Sequence, residues 1–104
     1  ENDGIEVTFY YGHGKSIFIG DNVIIGMNYT FVDKAEIHIG NQVMIAPNIQ
    51  IYTASHPILP QERLIDNWKE IRPTYFRTFA KPVIIEDNVW IGGGAIILPG
   101  VTIW

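Results

Sequence analysis

Branched or aromatic apolar residues recur every six positions along most of the chain: Ile19, Ile25 and Phe31, then Ile39, Ile45 and Ile51, then Ile85, Ile91, Ile97 and Ile103. An amphipathic helix would beat at 3.6 residues and a half-buried strand at two, so a fixed apolar phase with a period of six is neither. It predicts an all-β solenoid, a parallel β-helix in which each hexad forms one short strand and its turn and about three hexads close one coil. The expectation is a single β-helix domain over residues 1–104, of about four coils, interrupted by one long inserted loop.

Taken in order, residues 1–16 are the least regular. Ile5, Val7 and Phe9 alternate with polar neighbours before a turn at Tyr10-Tyr11-Gly12-His13-Gly14, which reads as a degenerate first coil or cap. From Ile17 the hexads IGDNVI and IGMNYT follow one another, each isoleucine pointing inward. The glycine or small polar residue after it turns the corner, where a Cβ would crowd or a positive φ is needed. Phe31 and Ile39 are eight apart, which implies a two-residue insertion at a solvent-facing corner near Asp33-Lys34. After the run from Ile39 to Ser55, residues 57–81 break the period with Pro60, Pro73, a burst of charge and the aromatics Trp68, Tyr75, Phe76 and Phe79. A loop that long in a compact domain usually carries function or is disordered, and its aromatics imply that it packs on something. The beat resumes at Pro82 and stops inside a hexad at Ile103-Trp104, so the functional unit is expected to be longer than this chain.

Composition narrows the picture. Hydrophobic residues make up 47% and charged residues 17%, a folded and not a disordered balance. A net charge of −4 without a basic cluster disfavours nucleic acid and anionic membrane surfaces as partners. No window approaches the roughly 18 uninterrupted apolar residues of a membrane span, and the N-terminus lacks a basic region leading into an apolar one, so a cytoplasmic protein is the expectation. With no cysteine, disulfides, thiolate metal sites and a cysteine nucleophile are excluded.

The chemistry-bearing residues each admit a plain reading as well. His56 could be a solvated turn histidine or, following two clean hexads and opening the excursion, a general base. His38 alternates outward between Ile37 and Ile39, and His13 lies in a turn. Asn28 and Asp33 could be corner residues bonding their own backbone, and Trp90 could simply cover the side of the solenoid.

The strings IGDNV, IAPNIQIYTASHP and AKPVIIEDNVWIGGGAIILPGVTI closely resemble the hexapeptide-repeat sugar O-acetyltransferases, the group of maltose, galactoside and nodulation-factor acetyltransferases. The likeness runs from about Phe9 to Ile103. It implies a left-handed β-helix, against the right-handed rule for ordinary parallel crossovers. It also implies a homotrimer and acetyl transfer from acetyl-CoA to a sugar-like hydroxyl acceptor, with no resident metal. By the match of Thr53-Ala54-Ser55-His56-Pro57, His56 would be the catalytic base acting without an acyl-enzyme. Asn28 and Asp33 would bind the acceptor, Asn28 also lying near the oxyanion. Trp90 would line the acetyl-pantetheine tunnel between subunits, and Gly93 would meet the pantetheine arm.

The chain also departs from the family. Gly26 stands where many relatives carry asparagine and Lys34 where an acid is common. The chain is expected to lack the relatives' opening helical segment and closing coil, and the excursion is longer, with WKEIRPTYFR as the extra. Two rivals remain. One is a truncated β-helix that trimerises but does not bind coenzyme. The other is a zinc carbonic anhydrase-like β-helix, which would need a close histidine pair, whereas His13, His38 and His56 are 25 and 18 residues apart.

Overall fold

The computed structural model describes residues 9–11, 16–56, 59, 61 and 78–104. The expected cap before Ser16, including His13, lies largely outside the described residues, as do Trp68, Tyr75 and Phe76 of the excursion. Strand β1 (Phe9–Tyr11) precedes the first complete coil, made of β2 (Ile17–Ile19), β3 (Ile24–Ile25) and β4 (Thr30–Val32). The second coil is β5 (Ile37–Ile39), β6 (Met44–Ile45) and β7 (Gln50–Tyr52). A short ribbon follows, β8 (Ala54–Ser55) with β9 (Phe79–Ala80), and then the third coil of β10 (Val83–Ile85), β11 (Trp90–Ile91) and β12 (Ile96–Ile97). Strand β13 (Thr102–Ile103) begins another turn.

Corresponding strands stack in parallel into three faces. Face I runs β2-β5-β10-β13, face II β3-β6-β11, and face III β1-β4-β7-β12. The registers align the six-residue frame rung upon rung: Ile19, Ile39, Ile85 and Ile103 on face I, Ile25, Ile45 and Ile91 on face II, Phe31, Ile51 and Ile97 on face III. Because strand side chains alternate, the residue two positions earlier also points inward. Ile37 and Val83 beneath face I, Val23 and Val43 beneath face II, and Tyr29 and Ile49 beneath face III complete the buried core. Burying each of these aliphatic side chains stabilises the coil by about 1.5–3 kcal/mol relative to leaving it in water.

An uninterrupted coil is eighteen residues, as between Ile84 and Thr102, whereas Ile17 pairs with Ile37 twenty residues on. The extra two residues fall at the corner between faces III and I, where the eight-residue spacing placed them.

The corners differ from the sequence expectation in one respect. Left-handed backbone falls on Asn22, Asn28, Gln42, Asn48, Asn88, Gly94 and Gly100, each three residues before a frame residue, and not on the glycine that follows the isoleucine. Asparagine is tolerated there because its short polar side chain makes the αL region accessible. The glycines after isoleucine answer to crowding instead. A Cβ on Gly20 would strike Asn41 Oδ1 and come within 2.8 Å of the Gly40 carbonyl, and one on Gly40 would strike Asp87 Oδ1. Those side-chain oxygens form a ladder up the corner: Asn41 Oδ1 accepts from the Asp21 N–H at 2.8 Å, and Asp87 Oδ1 from the Asn41 N–H at 2.7 Å.

Candidate active site

Three of the polar residues of interest gather at the corner between faces III and I. Thr53 is fully buried; its hydroxyl donates to the Val32 carbonyl and accepts from the Ala35 N–H at 3.0 Å. A residue of the second coil thus fastens the two-residue insertion of the first. Asp33 sits in that insertion and is 6% exposed. His56 leaves the same corner just after β8 and is exposed. Its direction is set by the antiparallel ribbon: the Lys81 N–H donates to the Thr53 carbonyl at 2.8 Å, Ala54 pairs with Ala80 and Ser55 with Phe79. Continued by one step, this register sets His56 opposite Thr78, and their Nδ1 and Oγ1 atoms are 3.5 Å apart. No periodic signal marked Thr78, because it meets His56 through pairing across an aperiodic stretch.

The other expected site residues lie elsewhere. Asn28 is the αL residue of the corner between faces II and III, with φ 62°, and Gly93 stands two coils along at the same corner, where a Cβ would be 3.4 Å from the Pro47 carbonyl. Beside Asn28, Tyr29 is buried with its ring 4.5 Å from that of Phe31. Burial pushes the Tyr29 phenol above its ordinary value, so it stays neutral and offers no base. Trp90 is on the outside of face II, 74% exposed, above Met44 and Ile24 in register. These three form an outward apolar stripe, and beside it Gly92 and Gly94 have open space where a Cβ would stand. In a three-sided solenoid the corner between III and I is the one that face II does not touch. His56 and Trp90 therefore stand on opposite sides of one chain: Asp33 and His56 belong to one corner of successive coils, Asn28 and Gly93 to another corner two coils apart.

A concavity of about 660 Å³ occupies the outside of face I, lined by Phe18, His38, Ile84, Glu86 and Trp104 among others, and includes none of the expected site residues. His38 does face outward, stacked on Phe18 at 4.8 Å and 2.6 Å from Glu36 Oε1. Among the described residues no three histidine or acidic side chains cluster as metal ligands, and no helix is long and apolar enough to cross a membrane.

Comparison with known proteins bears on this arrangement. No protein-family model matches the chain. It is 46% identical over 103 residues to the Saccharomyces cerevisiae protein YJL218W, covering 99% of this chain and 47% of the yeast protein. To the galactoside O-acetyltransferase of Lactococcus lactis it is 39% identical over 104 residues, covering 99% of this chain and 45% of that one. Among solved structures, a hexapeptide-repeat acetyltransferase of Vibrio cholerae complexed with acetyl-CoA superposes with a TM-score of 0.74 at 44% identity, over 90% of this chain and 46% of that one. The chain spans about half the length of the curated relatives it matches. These likenesses complete the fold class, an all-β, left-handed parallel β-helix; the expected inserted loop lies largely outside the described residues.

Proposed function

The chain belongs to the hexapeptide-repeat acetyltransferases, and on that premise we propose that it is the part of an acetyl-CoA-dependent O-acetyltransferase that carries the catalytic base, with a sugar or related polyol as acceptor. The observation that carries the proposal is that His56 is exposed and follows directly on a paired ribbon at the one corner where the hexad beat is broken, the corner whose insertion in the preceding coil holds the buried Asp33.

Acetyl-CoA supplies a thioester carbonyl activated for attack. The apolar stripe of Ile24, Met44 and Trp90, next to the open backbone at Gly92 to Gly94, suits an extended pantetheine arm. A sugar hydroxyl is a poor nucleophile until its proton is removed, and a neutral imidazole has the right basicity near pH 7 to remove it as the new C–O bond forms. His56 accepts that proton and returns it to the departing thiolate. Asp33 and Asn28 hold acceptor hydroxyls, and backbone N–H groups meet the charge growing on the carbonyl oxygen. Because His56 and Trp90 lie on opposite sides of one chain, a working cleft takes His56 from one copy and the Trp90 wall from another. A head-to-tail ring of copies closes such contacts, and the family resemblance implies that the ring is a homotrimer.

The test is thiol release from acetyl-CoA over a panel of sugars. The expected result is release with at least one acceptor, and a loss of about 100-fold or more in kcat for His56→Ala with the oligomer unchanged. Equal turnover in the variant removes the base assignment. No release, together with no rise in melting temperature on adding acetyl-CoA, leaves a β-helix module that does not bind coenzyme.

A further inference from the structure

We propose that Thr78 is a positioning residue for the base: its hydroxyl oxygen accepts a hydrogen bond from the Nδ1–H of His56, favouring the tautomer in which Nε2 carries the basic lone pair. The inference rests on the reading of His56 as base and adds a residue from the far end of the excursion.

Three observations place Thr78 there. The ribbon register is continuous from Thr53 and Lys81 through Ala54 with Ala80 and Ser55 with Phe79, so the next opposed pair is His56 with Thr78. Alternation then puts those two side chains on one face of the ribbon. The atoms that meet are Oγ1 and Nδ1, at 3.5 Å, the outer edge of hydrogen-bond reach, and such contacts in a substrate-free site tighten when reactants bind.

The chemistry then follows from imidazole itself. A neutral ring carries one proton, and only the unprotonated nitrogen can act as base; which nitrogen that is depends on what its partner atom bonds. An acceptor at Nδ1 holds the proton there and leaves the basic lone pair on Nε2, the ring's other nitrogen. A threonine hydroxyl can donate as well as accept; in the accepting role proposed for Thr78 it does this without adding charge. In that role it orients the base and favours the Nδ1–H tautomer, where a carboxylate in the same place would also raise its basicity. The excursion, whatever path it takes between His56 and Thr78, thus delivers both ends of the catalytic unit to one spot.

The experiment compares the protein with Thr78→Val and Thr78→Ser, reading thiol release and the ¹⁵N shifts of the His56 ring. Valine keeps the shape and β-branching without the oxygen; serine keeps the oxygen. The expected result is a fall of about tenfold in kcat for Thr78→Val with KM for acetyl-CoA unchanged, and Thr78→Ser within about twofold of the unmodified protein, as loss and rescue of one orienting hydrogen bond require. The His56 ring should be in the Nδ1–H tautomer, moving toward Nε2–H in the valine variant. An Nε2–H ring in the unmodified protein, or a valine variant with unchanged kcat and unchanged shifts, overturns the inference while His56→Ala remains inactive. Full turnover in His56→Ala removes the base, and the inference with it.

Discussion

The same corner, between faces III and I, is turned in two ways in successive coils. In the first coil two extra residues suffice, and the chain returns at once to the ladder at Ile37. In the second it leaves at Ala54 and returns only at Val83. Everywhere else the coil obeys a single rule: an inward pair, a corner with one left-handed residue, the next strand. The wall is redundant, since each rung repeats the instruction of the one below, and a solenoid built of nearest-neighbour contacts needs no more. The broken corner is where Asp33, Thr53, His56 and Thr78 collect. Regularity holds the shape, and the departures from it carry the side chains with chemistry to offer.

That contrast can be strained from either side. The larger effect belongs to the wall. Ile45 is 1% exposed between Ile25 and Ile91 on face II, so Ile45→Ala removes a central rung and should cost about 3 kcal/mol, read as a lower denaturation midpoint. Turnover per folded molecule should be unchanged; a loss of turnover at an unchanged midpoint would break the division between wall and corner. A smaller effect is expected at Thr53. Thr53→Val keeps the backbone bond from Thr53 N–H to the Val32 carbonyl but strips the Ala35 N–H of its acceptor, and should cost about 1–2 kcal/mol. Amide exchange should quicken first at Ala35 and not in the ladder. Uniform quickening would mean that the corner is no separate unit.

The ladder was legible because it is periodic: a spacing of six names the inward residues, and a spacing of eight names the two-residue insertion. Two features were not. One is why the glycines stand where they do: the Asn41 and Asp87 oxygens of the next coil fill the space a Cβ on Gly20 or Gly40 would need, while the left-handed turn falls two residues on, at Asn22 and Gln42. Thr78 depends on a register across an aperiodic stretch, which no pattern within either segment encodes. The residues inferred from family likeness fall on two corners and one face, and their list alone could not reveal that His56 and Trp90 are separated by the thickness of the solenoid.

That separation makes the central claim, a cleft shared by two copies, directly testable by subunit mixing. His56→Ala and Trp90→Ala chains, each inactive or nearly so alone, are denatured, combined in equal amounts and refolded together. If every cleft draws its imidazole from one chain and its tryptophan from a neighbour, about a quarter of the clefts in the mixture are intact, and thiol release should return to about that fraction of the unmodified protein. A mixture no more active than its two components would place both residues' work within one chain and contradict the account.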